Sequence, residues 1–269
     1  MKTSVSLSVF QAPEGMPALF SGADSQNLGT IKELGYDGVD LFVREPASEA
    51  TAQAMKGLRE YALGVGVIMP AALAREGLFL GDAKKEVRDE AVRRIGEIVQ
   101  LAAQCGGMVS LGLVRGSRSA GETDAELLDR FLDSSEKLLK ISEPLGVPLV
   151  IEPINRYEIN TLNSLKETGE FIRGAGLPLF IMADTFHMNI EDIDLEETMR
   201  ENLPLVKHIH FVDSNRRAPS MGHMDLASMY RMLEREGYSG YLCLETLPLP
   251  DPYTCAAAGA AFFRKMSSK

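Results

Sequence analysis

Four residues able to bind a hard metal ion recur at a steady interval in the second half of the chain: Glu152, Asp184, His210 and Glu245. They are separated by 32, 26 and 35 residues, each about the length of one strand plus one helix. All four lie in short apolar runs, PLVIE (148–152), LFIMAD (179–184), HIHFVD (208–213) and YLCLE (241–245). If the runs are neighbouring parallel strands about 4.8 Å apart, their side chains can meet at one mouth of a closed barrel. Alternation puts Glu152 on the face of Val150, His210 on that of His208, and Glu245 on that of Cys243. Leu149, Ile151, Ile209, Phe211, Leu242 and Leu244 then face outward. Three carboxylates buried together without a cation are very costly, and a divalent ion removes that cost. One imidazole with three carboxylates suits a single Mn, Mg or Co ion better than it suits a Cys-rich zinc site.

The chemistry open to such a set is proton transfer next to a carbonyl. An α-hydroxy ketone held against a divalent cation has an acidified C–H, and the cation stabilises the enediolate left by deprotonation. Return of the proton to the opposite face epimerises the carbon, whereas return to the adjacent carbon interconverts aldose and ketose. Carboxylates on both the fifth and the eighth strand favour epimerisation. His187, three residues after Asp184, is placed to touch an oxygen of the bound substrate. Arg216 pairs with Glu158 or with a substrate oxygen, and Arg217 competes for that role. Asn155 shapes the EPIN turn. His208, one layer deeper than His210, reads as a core histidine bonded to a neighbour, and His223 as an ordered loop residue near the mouth. Arg115 and Arg118, in the loop after the fourth strand, read as solvated in preference to a phosphate or carboxylate contact. Phe10 and Met69 are either pocket wall or ordinary core.

The elements that must position these residues alternate from end to end. Strand-like runs fall at 4–9, 38–43, 64–69, 108–113, 148–152, 179–184, 208–213 and 241–245. They are short and rich in branched or Leu residues, as buried parallel strands are. Helical stripes lie between them, as in 82–105 (Val87, Ala91, Ile95, Ile98, Val99, Ala102) and 122–145 (Leu127, Leu128, Phe131, Leu138, Ile141). Thr123 or Asp124 caps the second of these, and Pro144 with Gly146 ends it. Glycines at 35, 38, 64, 106, 107, 146, 176, 237 and 240 mark the handovers from helix to strand. The expectation is an α/β protein, a single (β/α)8 TIM barrel forming one domain over 1–269. An open doubly wound sheet would need a Gly-rich phosphate turn after the first strand, and FQAPEGMP is not one.

Composition narrows the function classes. There are 28 Lys+Arg against 38 Asp+Glu, a net charge of −10, which argues against nucleic acid and against an anionic membrane surface as partners. No run approaches the roughly 20 apolar residues of a membrane helix, and the N-terminus reads as a strand, not a signal peptide. Three dispersed cysteines, Cys105, Cys243 and Cys255, suit a reducing compartment, so a cytoplasmic location is expected.

IEPINRYE (151–158), ADTFHMN (183–189), HIHFVDSNR (208–216), GHMDL (222–226) and YLCLE (241–245) together resemble the xylose-isomerase-like barrel superfamily. The likeness is strongest to its ketose 3-epimerases, such as the tagatose and psicose 3-epimerases. That resemblance implies that Glu152, Asp184, His210 and Glu245 ligate the metal and that Glu152 and Glu245 double as the acid/base pair. It also implies that Glu158, His187 and Arg216 hold the sugar. A small-molecule sugar substrate, carbohydrate metabolism and a homo-oligomer, dimer or tetramer, follow from the same source. Three other activities use this barrel: an inosose-dehydratase-type lyase, a hydroxypyruvate or aldose–ketose isomerase, and a sugar-binding barrel without turnover. A superfamily abasic-site endonuclease would need more histidines from early strands, and residues 1–186 contain none.

Overall fold

The computed structural model describes residues 1–268. Eight parallel strands close on themselves: β1 (Lys2–Ser8), β2 (Gly38–Phe42), β3 (Gly64–Met69), β4 (Met108–Ser110), β5 (Leu149–Ile151), β6 (Leu179–Asp184), β7 (Val206–His210) and β8 (Tyr241–Leu244). Each pairs with the next, and β8 pairs with β1 through Lys2↔Tyr241 to Val5↔Leu244. A two-residue strand, Phe20–Ser21, adds to the outer edge of β1. The chain is therefore a (β/α)8 barrel, as expected.

Among the described residues ten α-helices surround it: α1 (Ser25–Glu33), α2 (Glu49–Glu60), α3 (Ala71–Arg75), α4 (Lys85–Cys105), α5 (Asp124–Ser142), α6 (Leu165–Ala175), α7 (Thr185–Glu191), α8 (Leu195–Asn202), α9 (Leu226–Arg235) and α10 (Pro252–Ser267). The count exceeds the eight expected because the loops after β3 and β6 carry short helices of their own, α3 and α7. The strand bounds also contract. The run expected at 108–113 is extended only to Ser110, because the chain then turns at Gly112 into a 3₁₀ turn, Leu113–Arg115.

Period-two alternation sorts the side chains. In β1 the serines at 4, 6 and 8 point into the barrel, while Val5 and Leu7 pack outward under the helices. The outer layer is the main apolar core. The inner one is small, with Phe42, Val67, Met69, Val150 and Met182. Above and around that inner layer the barrel lumen is polar.

Helix ends follow local chemistry. Thr123 and Glu126 form a reciprocal capping box at the start of α5. Gly106, Gly146 and Gly176 end helices in the left-handed region, at φ 69°, 66° and 64°. Gly38 and Gly240 serve differently: a Cβ on Gly38 would lie 2.5 Å from the Gly64 carbonyl oxygen, and one on Gly240 2.8 Å from that of Lys207. These two permit close strand approach and do not supply a positive φ.

Candidate active site

The C-terminal mouth of the barrel brings the four expected residues together. Asp184 ends β6, His210 ends β7 in register beside it, and Glu152 and Glu245 lie one residue beyond β5 and β8. From His210 Nδ1 the distances are 3.4 Å to Glu152 Oε1, 3.7 Å to Asp184 Oδ2 and 3.5 Å to Glu245 Oε2. One ligand atom from each residue lies within 4.8 Å of all the others, and all four residues are buried.

Local structure aims each atom. Asp184 caps α7 with Oδ1, which accepts from the Phe186 and His187 backbone N–H groups at 2.7 and 3.4 Å, leaving Oδ2 directed at the centre. Glu152 fits because residue 112 has no side chain: a Cβ there would lie 2.7 Å from Glu152 Oε2. Arg115 steadies the Glu152 backbone by donating from Nη1 to its carbonyl at 3.2 Å and from Nη2 to Thr161 O at 2.9 Å. Sequence reasoning placed Arg115 in solvent. It is instead wholly buried, with burial drawing its pKa down to about 10, because backbone carbonyls from two loops satisfy its fork. Arg118 lies outside the cleft, paired with Asp124 at 2.6 Å.

Glu152 Oε1, Asp184 Oδ2 and His210 Nδ1 are buried with no hydrogen-bond partner among the described residues. Buried polar atoms are ordinarily satisfied. Three orphaned donor atoms of hard character facing one point fit a divalent cation, with Glu245 Oε2 as the fourth. The pKa directions show the same crowding. Burial and the Glu245 charge push Glu152 up. Burial alone would raise Asp184 and Glu245, but His210 and the Arg216 guanidinium, which act on both, take them below the usual carboxylate range. Burial works against a charged His210, yet the surrounding carboxylates, Glu245 foremost, raise its pKa well above the ordinary value.

His187, Glu158 and Arg216 all line the same cleft. His187 Nε2 lies 3.8 Å from Asp184 Oδ2 and 3.9 Å from Glu152 Oε1. Asn155 Nδ2 donates to His187 Nδ1 at 2.7 Å, which puts the ring proton on Nε2, toward the centre. The Asn155 amide is oriented by the Tyr157 N–H on its oxygen at 3.0 Å. Arg216 forks between Glu245 Oε2 (2.9 Å) and Glu158 Oε1 (3.1 Å), and its guanidinium stands 5.0 Å from the Phe186 ring centre. A left-handed backbone at Arg216, φ 57°, aims it inward, a strained conformation held by the turn around Asp213. Arg217 does not line the cleft. His223 is exposed and bonds Ser214 Oγ at 2.9 Å, away from the centre. Met69 and Phe10 both form cleft wall, and Met69 also belongs to the inner core.

Sequence reasoning missed two residues. Asp40, mid-strand in β2, lies directly beneath His210: its Oδ2 is 3.3 Å from His210 Nε2 and 2.5 Å from His208 Nε2, and its Oδ1 accepts from Ser4 Oγ at 3.2 Å. Its signal was an acid on the inward face of the apolar run GVDLF. Asp213, wholly buried, gathers the backbone N–H groups of Ser214, Ser220 and Met224 and so organises the loop that carries Arg216.

The sequence matches the family described as "Xylose isomerase-like TIM barrel" over residues 28–266. The chain belongs to that family. Among family relatives it is 28% identical to an L-ribulose 3-epimerase of Mesorhizobium japonicum over 225 residues, 82% of this chain and 74% of the relative. It is 24% identical to the 3-dehydro-D-guloside 4-epimerase of Escherichia coli over 224 residues, 80% and 84% of the two chains. A solved 3-keto-D-glucoside 4-epimerase from E. coli superposes with TM-score 0.81, covering 98% of this chain and all of that one, at 22% identity. The relatives are epimerases, and the structural likeness supports the shared family fold. Among the described residues no helix is long and apolar enough to cross a membrane.

Proposed function

We propose that this chain is a divalent-metal-dependent sugar epimerase that works by proton transfer at the carbon next to a ketose carbonyl, in its simplest form a ketose 3-epimerase. The observation that carries the reading is the convergence of Glu152 and Glu245, from β5 and β8, on a common centre with His210 and Asp184 from the strands between them. Two carboxylates approaching from strands on either side can serve the two faces of one bound carbon, as inversion requires.

Glu152, Asp184, His210 and Glu245 would hold the cation. When bound, that ion, Mn, Mg or Co, offsets the carboxylate charge and withdraws electron density from the substrate carbonyl. The remaining work belongs to the chain. One of Glu152 and Glu245 takes the proton from the carbon, and the other returns one on the opposite face. Arg216 keeps the Glu245 carboxylate oriented through its 2.9 Å contact and reaches with Glu158 toward the sugar oxygens. His187 presents Nε2–H to a hydroxyl or to the carbonyl end. The apolar opposite wall, with Phe10, Met16, Phe42 and Met69, excludes water from the reacting carbon. The cleft has a cavity volume of about 170 Å³ and opens to solvent at its mouth, which restricts its occupant to a small molecule.

The reading extends to the whole chain: residues 1–269 form one domain, acting in the cytoplasm as a homo-oligomer on a small sugar, without nucleic acid or membrane. Uninterrupted alternation of strand and helix supports the first point, sparse cysteines support the cytoplasm, the acid excess weighs against nucleic acid and membrane, and the likeness to sugar epimerases is what supports the oligomer and the sugar.

The test is a panel of free ketoses in D2O with Mn added, followed by NMR. Deuterium entering at C3 with formation of the C3 epimer is expected. Loss of water from a cyclic ketone, or exchange only at C1, would replace epimerisation with dehydration or aldose–ketose isomerisation.

A further inference from the structure

The cleft has two unlike halves. Every carboxylate that lines it, and Arg216, come from the side of β5 to β8. On the side of β1 to β4 the lining is Phe10, Met16, Pro17, Phe42, Met69 and small residues, with a single charged group, Arg75, at the end of α3. A sugar with its carbonyl end at the metal-binding cluster extends its far end toward that second half. An apolar wall offers a neutral polyhydroxyl tail few hydrogen bonds.

Arg75 is exposed, and no carboxylate lies within 4.0 Å of it among the described residues. This is notable in a chain of net charge −10. Its neighbour Glu76 is turned away, held by Arg44 at 2.7 Å and Arg94 at 3.5 Å. Past Arg75 lies a second depression, which shares Ala71, Arg75, Leu113 and Glu158 with the first. It carries one more cation without a carboxylate partner, Lys84. Of its acids, Glu122 pairs with Arg130 and Glu158 with Arg216, while Asp82 accepts the Lys84 backbone N–H and keeps its charge beside that residue. Among the described residues, Arg75 is therefore the unpaired positive charge on the half of the cleft facing the cluster.

Building on the epimerase reading, we propose that the substrate is a ketose carrying an anionic group, a phosphate ester or a carboxylate, on the end remote from its carbonyl, and that Arg75, seconded by Lys84, binds that group. An arginine fork matches either anion with two parallel hydrogen bonds, and charge-assisted bonds are about twice as strong as neutral ones. Arg115 and Arg118, the other arginines of the neighbouring loop, are taken up by backbone carbonyls and by Asp124, so neither competes for the role.

The experiment compares D-fructose with D-fructose 6-phosphate and with D-fructuronate, and D-ribulose with D-ribulose 5-phosphate, on Mn-supplemented protein. Solvent deuterium uptake next to the carbonyl gives kcat/KM, and calorimetry gives affinity. Both are repeated on Arg75→Gln and Lys84→Gln. The expected result is a preference of about tenfold or more for a charged member over its neutral partner, collapsing in Arg75→Gln and reduced in Lys84→Gln. Phosphate preferred to carboxylate, or the reverse, identifies the anion. Neutral ketoses exchanged as well as charged ones, or a charge preference that survives Arg75→Gln, would overturn the anion site while leaving the epimerase reading intact. If no sugar exchanges, the epimerase reading fails. Calorimetry then decides the site by itself: D-fructose 6-phosphate bound by the parent protein and lost in Arg75→Gln upholds it, and no binding to either overturns it.

Discussion

At the scale of single residues, the site separates groups that meet the substrate from groups that hold those groups in place. Glu152→Gln and Glu245→Gln keep the shape of the side chain and remove its basicity. Each is expected to lower deuterium exchange by about 10²–10⁴-fold with an unchanged circular dichroism spectrum. Exchange at the parental rate in either variant would take that residue out of the proton-transfer pair. Asp40 acts one step back. Its negative charge stands 3.3 Å from His210 Nε2, where it favours a proton on that nitrogen and so a bare Nδ1 toward the centre. Asp40→Asn is therefore expected to weaken Mn affinity by about 10–100-fold, read by titration on protein first stripped with EDTA. Parental affinity would make Asp40 a core group and nothing more. Beneath it, Gly66 leaves the necessary space: a Cβ there would lie 2.5 Å from Asp40 Oδ1.

At the scale of elements, the loops that carry the site are tied to helix ends by carboxylates and hydroxyls. The capping box of Thr123 and Glu126 is remote from the cleft, so Thr123→Ala should cost about 1 kcal/mol of stability in urea unfolding and leave turnover intact. Asp192, after α7, accepts the Leu165 N–H at the start of α6 at 3.2 Å, and burial pushes its pKa up to about 6. Its folded pKa thus exceeds its unfolded one, so the protonated form favours the fold. That contribution is complete below about pH 4 and is lost as the pH rises through 6. Allowing for its partial exposure, Asp192→Asn should gain about 1 kcal/mol at pH 8 and nothing at pH 4. Equal urea midpoints of the two proteins at pH 8 would show that Asp192 is not strained by its charge.

At the scale of the whole molecule, the barrel concentrates uncompensated charge at one end of a closed sheet. Asp40, Glu152, Asp184 and Glu245 are buried within a few ångströms of His210, with Arg216 on Glu245 and Arg115 behind Glu152 as the permanent cations beside them. Binding a divalent ion should therefore stabilise the whole fold. At a hundredfold excess over Kd the gain is about 2.7 kcal/mol, or about 5–10 °C in Tm for a chain of this size. A melt in EDTA against one with added Mn reads it directly. Coincident curves would remove the cation from the centre.

Much of this was legible in the chain itself, because its determinants are local. Alternation along YLCLE puts Glu245 inward whatever surrounds it, and the interval of one strand and one helix between Glu152, Asp184, His210 and Glu245 requires only that the strands be neighbours. Glu158 and Arg216 were paired in advance for the same reason, since both follow strands whose ends face the mouth. Long-range packing decided the rest. Asp40 meets His208 across 168 residues of chain, a contact no spacing announces. Arg115 looks like a solvent-facing loop arginine until the fold supplies Thr161 and Glu152 carbonyls to bury it. Arg75 looks like any surface cation until closure of the barrel sets it alone on an apolar wall. Strand ends are written in the periodicity of the chain; the company each charge keeps is set by which distant segments the barrel brings beside it.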